Sequence, residues 1–101
     1  VQAEILEEAH VLFPLEKDFM YLRAHTAYQL GNAALSQEYA ERFRLYYPEH
    51  VHNLVILAET SLRLRKIHKA ELVVGDLQRI DPANAHIEGF RQRIASAQGS
   101  L

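Results

Sequence analysis

The sequence contains 101 residues, of which 49% are hydrophobic and 24% are charged, and its formal net charge is −2. This length suits one small domain, and the balance of apolar and charged residues excludes an intrinsically disordered chain. The weak net charge argues against a nucleic-acid partner. The absence of cysteine excludes disulfides and cysteine-bound zinc. No apolar run is long enough for membrane insertion.

Six amphipathic stretches, separated by turn residues, predict an all-α chain. Their apolar residues recur at helical rather than alternating spacing, so we expect no strand. Pro14, Pro48 and Pro82 end the first, third and fifth stretches, because the residue before a proline is disfavoured in helical conformation. Gly31 and Arg65 mark the other two turns. The predicted helices cover residues 1–13, 18–30, 33–46, 51–64, 67–80 and 85–98.

The same periodicity predicts which side chains face the core. In the second and third helices these are Phe19, Leu22, Ala27, Leu30, Leu35, Tyr39, Ala40, Phe43 and Tyr46. In the fifth and sixth helices they are Ala70, Val73, Val74, Leu77, Ile80, Ile87, Phe90 and Ile94. Two glycines, Gly75 and Gly89, fall inside helices, and we interpret them as points where neighbouring helices approach closely.

The three prolines are evenly spaced along the chain, at a period of about 34 residues. Short paired helices with this period, and a proline at the end of each pair, resemble the tetratricopeptide repeat family. The resemblance implies a single domain over residues 1–101, a right-handed α-solenoid of antiparallel helix pairs with six helices. It divides the chain into a half repeat, two full repeats and a terminal capping helix: residues 1–16, 17–50, 51–84 and 85–98.

Several residues match the family pattern within the two full repeats. Small residues stand where paired helices cross, at Ala24, Ala58 and Ala70, and Gly31 takes the glycine of the turn. Other positions depart from the pattern. Arg23 replaces a leucine, Ser36 replaces a small alanine, Arg65 replaces the turn glycine, Met20 and Leu54 replace aromatic residues, and Ala27 and Ser61 replace a tyrosine.

In this family the first helix of each repeat lines a concave groove that binds a peptide or a helix of a partner protein. The resemblance places these contact residues there: Tyr21, His25, Tyr28, His52, Val55, Glu59, Leu62 and Arg93. It also places His86 and Gly89 on the groove side of the last helix. The tyrosines have two interpretations of equal weight. They are either contacts for a partner, or inter-repeat core with their hydroxyls at the rim.

Other kinds of site are not expected. Some relatives in this family grip acidic chaperone tails with lysine and asparagine, whereas Glu59 in this groove is expected to repel such a tail. His52 and His86 are one repeat apart, roughly 10 Å for packed helices, which is too far for shared metal ligation. Without nucleophile, metal or phosphate motifs, we expect no catalytic residue, metal or cofactor. The basic cluster of the sequence is interpreted as a solvated turn: Arg63, Arg65, Lys66 and Lys69.

Two functions from different classes follow. The first is a non-enzymatic scaffold that binds a protein or peptide in the groove. The alternative is a self-assembly module, a homodimer for example, that pairs through Leu6, Ala9 and Phe13 of the N-terminal half repeat. The absence of cysteine favours a cytoplasmic protein. The chain begins at Val1 without a methionine, so we also expect an excised segment or a processed form of a longer protein, and a targeting signal missing from this segment is the alternative to a cytoplasmic location.

Overall fold

A computed structural model describes residues 17–99, and this part of the chain folds as a series of helices. It contains α1 (Lys17–Gln29), α2 (Ala33–Tyr46), α3 (Val51–Arg63), α4 (Ile67–Ile80) and α5 (Ile87–Gly99), with no strand in the described range. The predicted helix over residues 1–13, with the proposed association residues Leu6, Ala9 and Phe13, lies outside the described residues. That helix and its role in assembly therefore remain predictions.

The helix bounds agree closely with those expected from the sequence. The predictions of 33–46 and 67–80 are confirmed. Helix α1 begins and ends one residue earlier than predicted, and α3 ends one residue earlier. The last helix begins later than expected, at Ile87, because Asn84 forms a turn first: its backbone N–H donates to the Asp81 carbonyl at 3.0 Å and its Oδ1 accepts from the His86 N–H at 2.9 Å.

The observed helices repeat with the period of the prolines. Each end of α3 lies one proline spacing after the corresponding end of α1, and the ends of α4 follow those of α2 by the same interval. Each helix packs on the next one along the chain. In addition α1 contacts α3, and α3 contacts α5, so these three helices lie side by side.

The turns after α1 and α3 share one geometry. Gly31 has a φ of 82° and Arg65 has a φ of 62°, so both residues are left-handed. At each turn this residue donates its N–H to the carbonyl at i−3, and the next residue donates to the carbonyl at i−5, which is the Schellman pattern. Gly31 confirms the expected turn. Arg65 adopts the same conformation in spite of its side chain.

The connections after α2 and α4 are also equivalent. Tyr47 and Asp81 each donate a backbone N–H to the carbonyl at i−4, at 3.0 and 2.7 Å, as the last bond of the helix. Pro48 and Pro82 follow and stop both helices, since proline cannot supply the next N–H. His50 is the N-cap of α3, and its Nδ1 accepts a hydrogen bond from the Asn53 backbone N–H at 3.2 Å.

The core is built around small residues that recur at the spacing of the prolines. Ala24 and Ala58 are fully buried where α1 and α3 face their partner helices, and Ser36 and Ala70 are fully buried opposite them. The Ser36 hydroxyl donates to the Ala24 carbonyl at 2.7 Å, so the departure from alanine leaves no unsatisfied group. Larger side chains fill the remaining space: Phe43, Leu54, Leu57, Val73, Val74, Leu77, Phe90 and Ile94.

Arg23, which stands where the family has leucine, is accommodated by its partner on α2. Its guanidinium carbon lies 4.2 Å from the centroid of the Tyr39 ring, and it donates to the Tyr39 hydroxyl at 2.5 Å. In the second repeat the equivalent positions are Leu57 and Val73, both buried. A cation–π pair in one repeat thus replaces an aliphatic pair in the other.

Some apolar residues expected to face the core are exposed instead. Leu22 is 44% exposed because it lies two positions before the buried Ala24, and two steps along a helix carry a side chain to the opposite side. Leu30 is 74% exposed because it lies past the end of α1, in the turn. Leu35 and Tyr46 are exposed near the two ends of α2. The inward predictions for α4 and α5 are confirmed by burial, except that Ile80 is half-buried and packs against the core.

The interpretation of Gly75 and Gly89 as close-approach points is wrong. Among the described residues, a Cβ built at either position meets no atom within 4 Å outside its own helix backbone. Both glycines therefore lie at open surface, where alanine would fit.

This geometry predicts opposite effects for one substitution at two glycines. Gly31→Ala should destabilise the protein by about 1 kcal/mol, because alanine resists a positive φ. Gly75→Ala should stabilise it by about 1 kcal/mol, because alanine favours a helix interior. Neither Cβ meets a neighbour in residues 17–99, so packing does not contribute. Urea unfolding of both variants is the measurement, and two shifts of the same sign would contradict the assignment of the turn.

Candidate binding groove

A cavity of 390 Å³ opens along α1, α3 and α5, the three helices that lie side by side. We call this cavity the groove pocket. Its lining residues are Tyr28, Val55, Ile56, Glu59, Ala85, His86, Gly89, Phe90 and Arg93. The cavity therefore lies on a face that α1, α3 and α5 share.

The floor of the groove pocket is apolar. Ile56 and Phe90 are buried beneath it, and Val55 is half-buried and packs against the core. The exposed imidazole of His86 stacks on the Phe90 ring, with the ring centroids 6.0 Å apart. On the α5 side the groove pocket is open, because Gly89 carries no side chain. An apolar side chain from a partner would thus find both depth and access here.

The polar end of the groove pocket is a charged cluster centred on Glu59. One of its oxygens accepts from Arg93 Nη1 at 2.5 Å, and the other forms an ion pair with Arg63 Nε at 3.5 Å. The Arg63 guanidinium also lies over the Tyr28 ring, 4.6 Å from its centroid, and donates to the Tyr28 hydroxyl at 3.3 Å. We call these four residues the Glu59 cluster.

The Glu59 cluster changes the expected electrostatics of the groove. Glu59 is only 17% exposed, whereas the side chains of Arg63 and Arg93 are 44% and 47% exposed. Two guanidinium groups therefore surround one covered carboxylate, which leaves one positive charge in excess. The prediction that Glu59 repels an acidic segment depends on an unpaired carboxylate, and the carboxylate is paired.

A second group of rings lies at the start of α3. The Tyr21 ring is 4.8 Å from the His50 ring and 5.4 Å from the Phe43 ring, centroid to centroid. His25 lies 6.2 Å from Tyr21, and His52 lies 6.1 Å from His50. Phe43 is buried and anchors the group to the core. Tyr21 is thus held by core-facing rings on one side.

The histidine that precedes α3 has a structural role that accounts for its position. His50 caps α3 through Nδ1 and meets Phe43 edge-on at 5.0 Å, so its ring is fixed by the helix start. In residues 17–99 no group of three or more histidine, cysteine, aspartate or glutamate side chains is arranged to hold a metal ion.

The structure divides the predicted groove residues into three sets. Tyr28, Val55, Glu59 and Arg93 lie together at the groove pocket. Tyr21, His25 and His52 lie together in the ring group around His50. Leu62 belongs to the core and is 7% exposed, so it offers a partner little surface.

Sequence reasoning alone misses Arg63 and Phe90 as parts of the site. The helical pattern assigns Phe90 to the core, and it is both core and pocket floor. The basic cluster that contains Arg63 is interpreted as a solvated turn, yet this side chain joins the Glu59 cluster. The sequence does carry a signal for it, because Arg63 follows Glu59 at i+4 on the same helix face.

None of the known family models matches the sequence, and a search of curated proteins finds no significant relative. Of the helices within residues 17–99, none combines the length and the apolar character that spanning a bilayer requires.

The two interpretations of the tyrosines lead to different expectations for Tyr21 and Tyr28. Tyr21→Ala should lower the free energy of unfolding by about 2 kcal/mol, because it removes ring contacts with Phe43 and His50. Tyr28→Ala should lower it by less than about 1 kcal/mol, because its main contact is a half-exposed arginine. Chemical denaturation measures both. Equal losses would mean that the two rings share one role.

The burial of Tyr21 also predicts that the stability of the fold depends on pH. Burial raises the pKa of the Tyr21 phenol, because desolvation disfavours the phenolate. The folded protein thus holds this proton more tightly than the unfolded chain, whose tyrosines titrate at about pH 10. The stabilisation is complete below that pH and is lost as the pH rises through the folded-state pKa. Above about pH 10, the melting temperature of Tyr21→Phe should fall less with rising pH than that of the parent. Melting temperatures that fall in parallel for the two proteins would refute this.

Proposed function

We propose that this chain is a tetratricopeptide-like binding module, a right-handed α-solenoid with a sixth helix in residues 1–13. It is non-enzymatic and binds a peptide or a helix of a partner protein in the groove of α1, α3 and α5. One observation carries the proposal. Helix ends, left-handed turns and buried small residues all recur with the period of the prolines, and this recurrence leaves a pocket where the groove is expected.

The shape of the groove pocket supports a protein segment as the ligand. The cavity is open along one side, with an apolar floor at Val55 and Phe90 and a hydrogen-bonding cluster at one end. Peptides and helices bind in this manner, with an apolar anchor in a groove and polar contacts that fix its register. The lining supplies both kinds of contact.

The composition of the lining supports recognition rather than catalysis. The polar side chains that line the groove pocket already have partners: Arg93 donates to Glu59, the Tyr28 hydroxyl accepts from Arg63, and the His86 ring stacks on Phe90. Glu59 is engaged on both oxygens by arginines. The charged groups of this site therefore hold one another in position.

The proposal is tested by blocking the groove pocket without disturbing the fold. Gly89→Leu places a side chain into the pocket from α5, at a position where a Cβ meets no atom of the described chain. Gly75→Leu is the matched control, since it adds the same side chain at an equally open position on α4 that does not line the pocket. Both variants should remain folded.

A displayed library of random peptides, selected on the immobilised protein, supplies the ligands. We expect the selected peptides to bind Gly89→Leu more than about tenfold more weakly than the parent, and Gly75→Leu as well as the parent. Failure to select any peptide, or equal binding to all three proteins, would overturn the proposal.

A further inference from the structure

We infer that the groove pocket takes an acidic segment, one in which an aspartate or glutamate side chain stands next to an apolar side chain. This inference rests on the proposed function and specifies the chemistry of its partner. It comes from the Glu59 cluster and from the apolar floor beside it, which together define a two-part ligand.

The arginines of the Glu59 cluster are not saturated by their carboxylate. In the described part of the chain, Arg93 hydrogen-bonds to Glu59 through Nη1, and nearly half of its side chain remains exposed. A guanidinium carries several N–H groups in a planar fork. Arg93 therefore keeps donors that can bind a second carboxylate with paired hydrogen bonds.

The position of Glu59 favours an acidic ligand over a basic one. Its carboxylate is largely covered, with Arg63 on one oxygen and Arg93 on the other. Both arginine side chains are more exposed to solvent than the carboxylate with which they pair, so the accessible charge of the cluster is positive. A lysine or arginine in the ligand would face like charges, and in a partly buried site these cost more than in water.

The apolar part of the ligand is defined by what adjoins Arg93. The same cavity that Arg93 lines contains Val55, Phe90 and the gap above Gly89. A carboxylate on the arginine fork thus brings the neighbouring residue of the segment over the apolar floor. A small free anion would satisfy the arginines and leave this floor open to water.

The test uses three synthetic peptides with blocked termini that differ only in the flanking residue. Each has a central leucine, flanked by glutamate, glutamine or lysine. Binding to the protein is measured by fluorescence anisotropy at low and at high salt. We expect the glutamate peptide to bind most tightly and to lose affinity as salt increases.

Two variants should change the affinity for the glutamate peptide in opposite directions. Arg93→Gln should weaken binding at least about fivefold, because it removes the carboxylate fork. Glu59→Gln should strengthen binding, because it removes the negative charge and leaves both arginines. Arg91→Gln is the matched control for net charge, since Arg91 lies on the same helix but donates to Gln78 on α4. It should bind like the parent.

The outcomes separate this inference from the proposed function. Equal or tighter binding of the glutamine or lysine peptide would overturn the inference, and so would no binding of any of the three. In either case the proposed function is decided independently, by whether Gly89→Leu blocks the peptides selected from the library. Equal effects of Arg93→Gln and Arg91→Gln would also overturn the inference, because they would reflect net charge alone.

Discussion

The left-handed residue between paired helices is the constraint on which the rest of the structure depends. At Gly31 and at Arg65 a positive φ lets the chain reverse while the last carbonyls of α1 and α3 remain hydrogen-bonded. Both reversals occur at the same point of the period, so α2 and α4 return with the same register. The first helices of successive repeats are then brought side by side, and the groove pocket follows from that alignment.

Positions one proline spacing apart fill equivalent space between helices with different side chains. The Arg23–Tyr39 pair fills the space that Leu57 and Val73 fill one repeat later. Buried polar groups also join the repeats. Gln37 of α2 donates to the Ser61 hydroxyl of α3 at 2.8 Å and accepts from Lys66 at 2.9 Å. Such bonds fix the relative position of two repeats, because a shifted pairing would leave buried polar atoms without partners.

Within residues 17–99, the sequence was sufficient to predict the helices but not how neighbouring helices pack side by side. Proline and glycine chemistry acts locally, so the helix ends and the Gly31 turn followed from a few neighbouring residues. The open space beside Gly75 depends on which helix lies alongside, and periodicity within one helix carries no such information. The Glu59–Arg93 pair spans one whole repeat, so it follows only from stacking the repeats in space.

A charge cluster alone does not make the groove pocket a candidate site. Asp76 on α4 is likewise shared by two arginines, Arg44 of α2 and Arg79 of its own helix, and so carries the same charge excess. None of these three residues lines the groove pocket. The Glu59 cluster differs because a concave apolar floor adjoins it, so a ligand gains burial and hydrogen bonds together. At Asp76 a ligand would gain a screened surface contact, which contributes little. The adjacent cavity therefore distinguishes the groove pocket as a binding site, because the number of arginines is the same at Asp76.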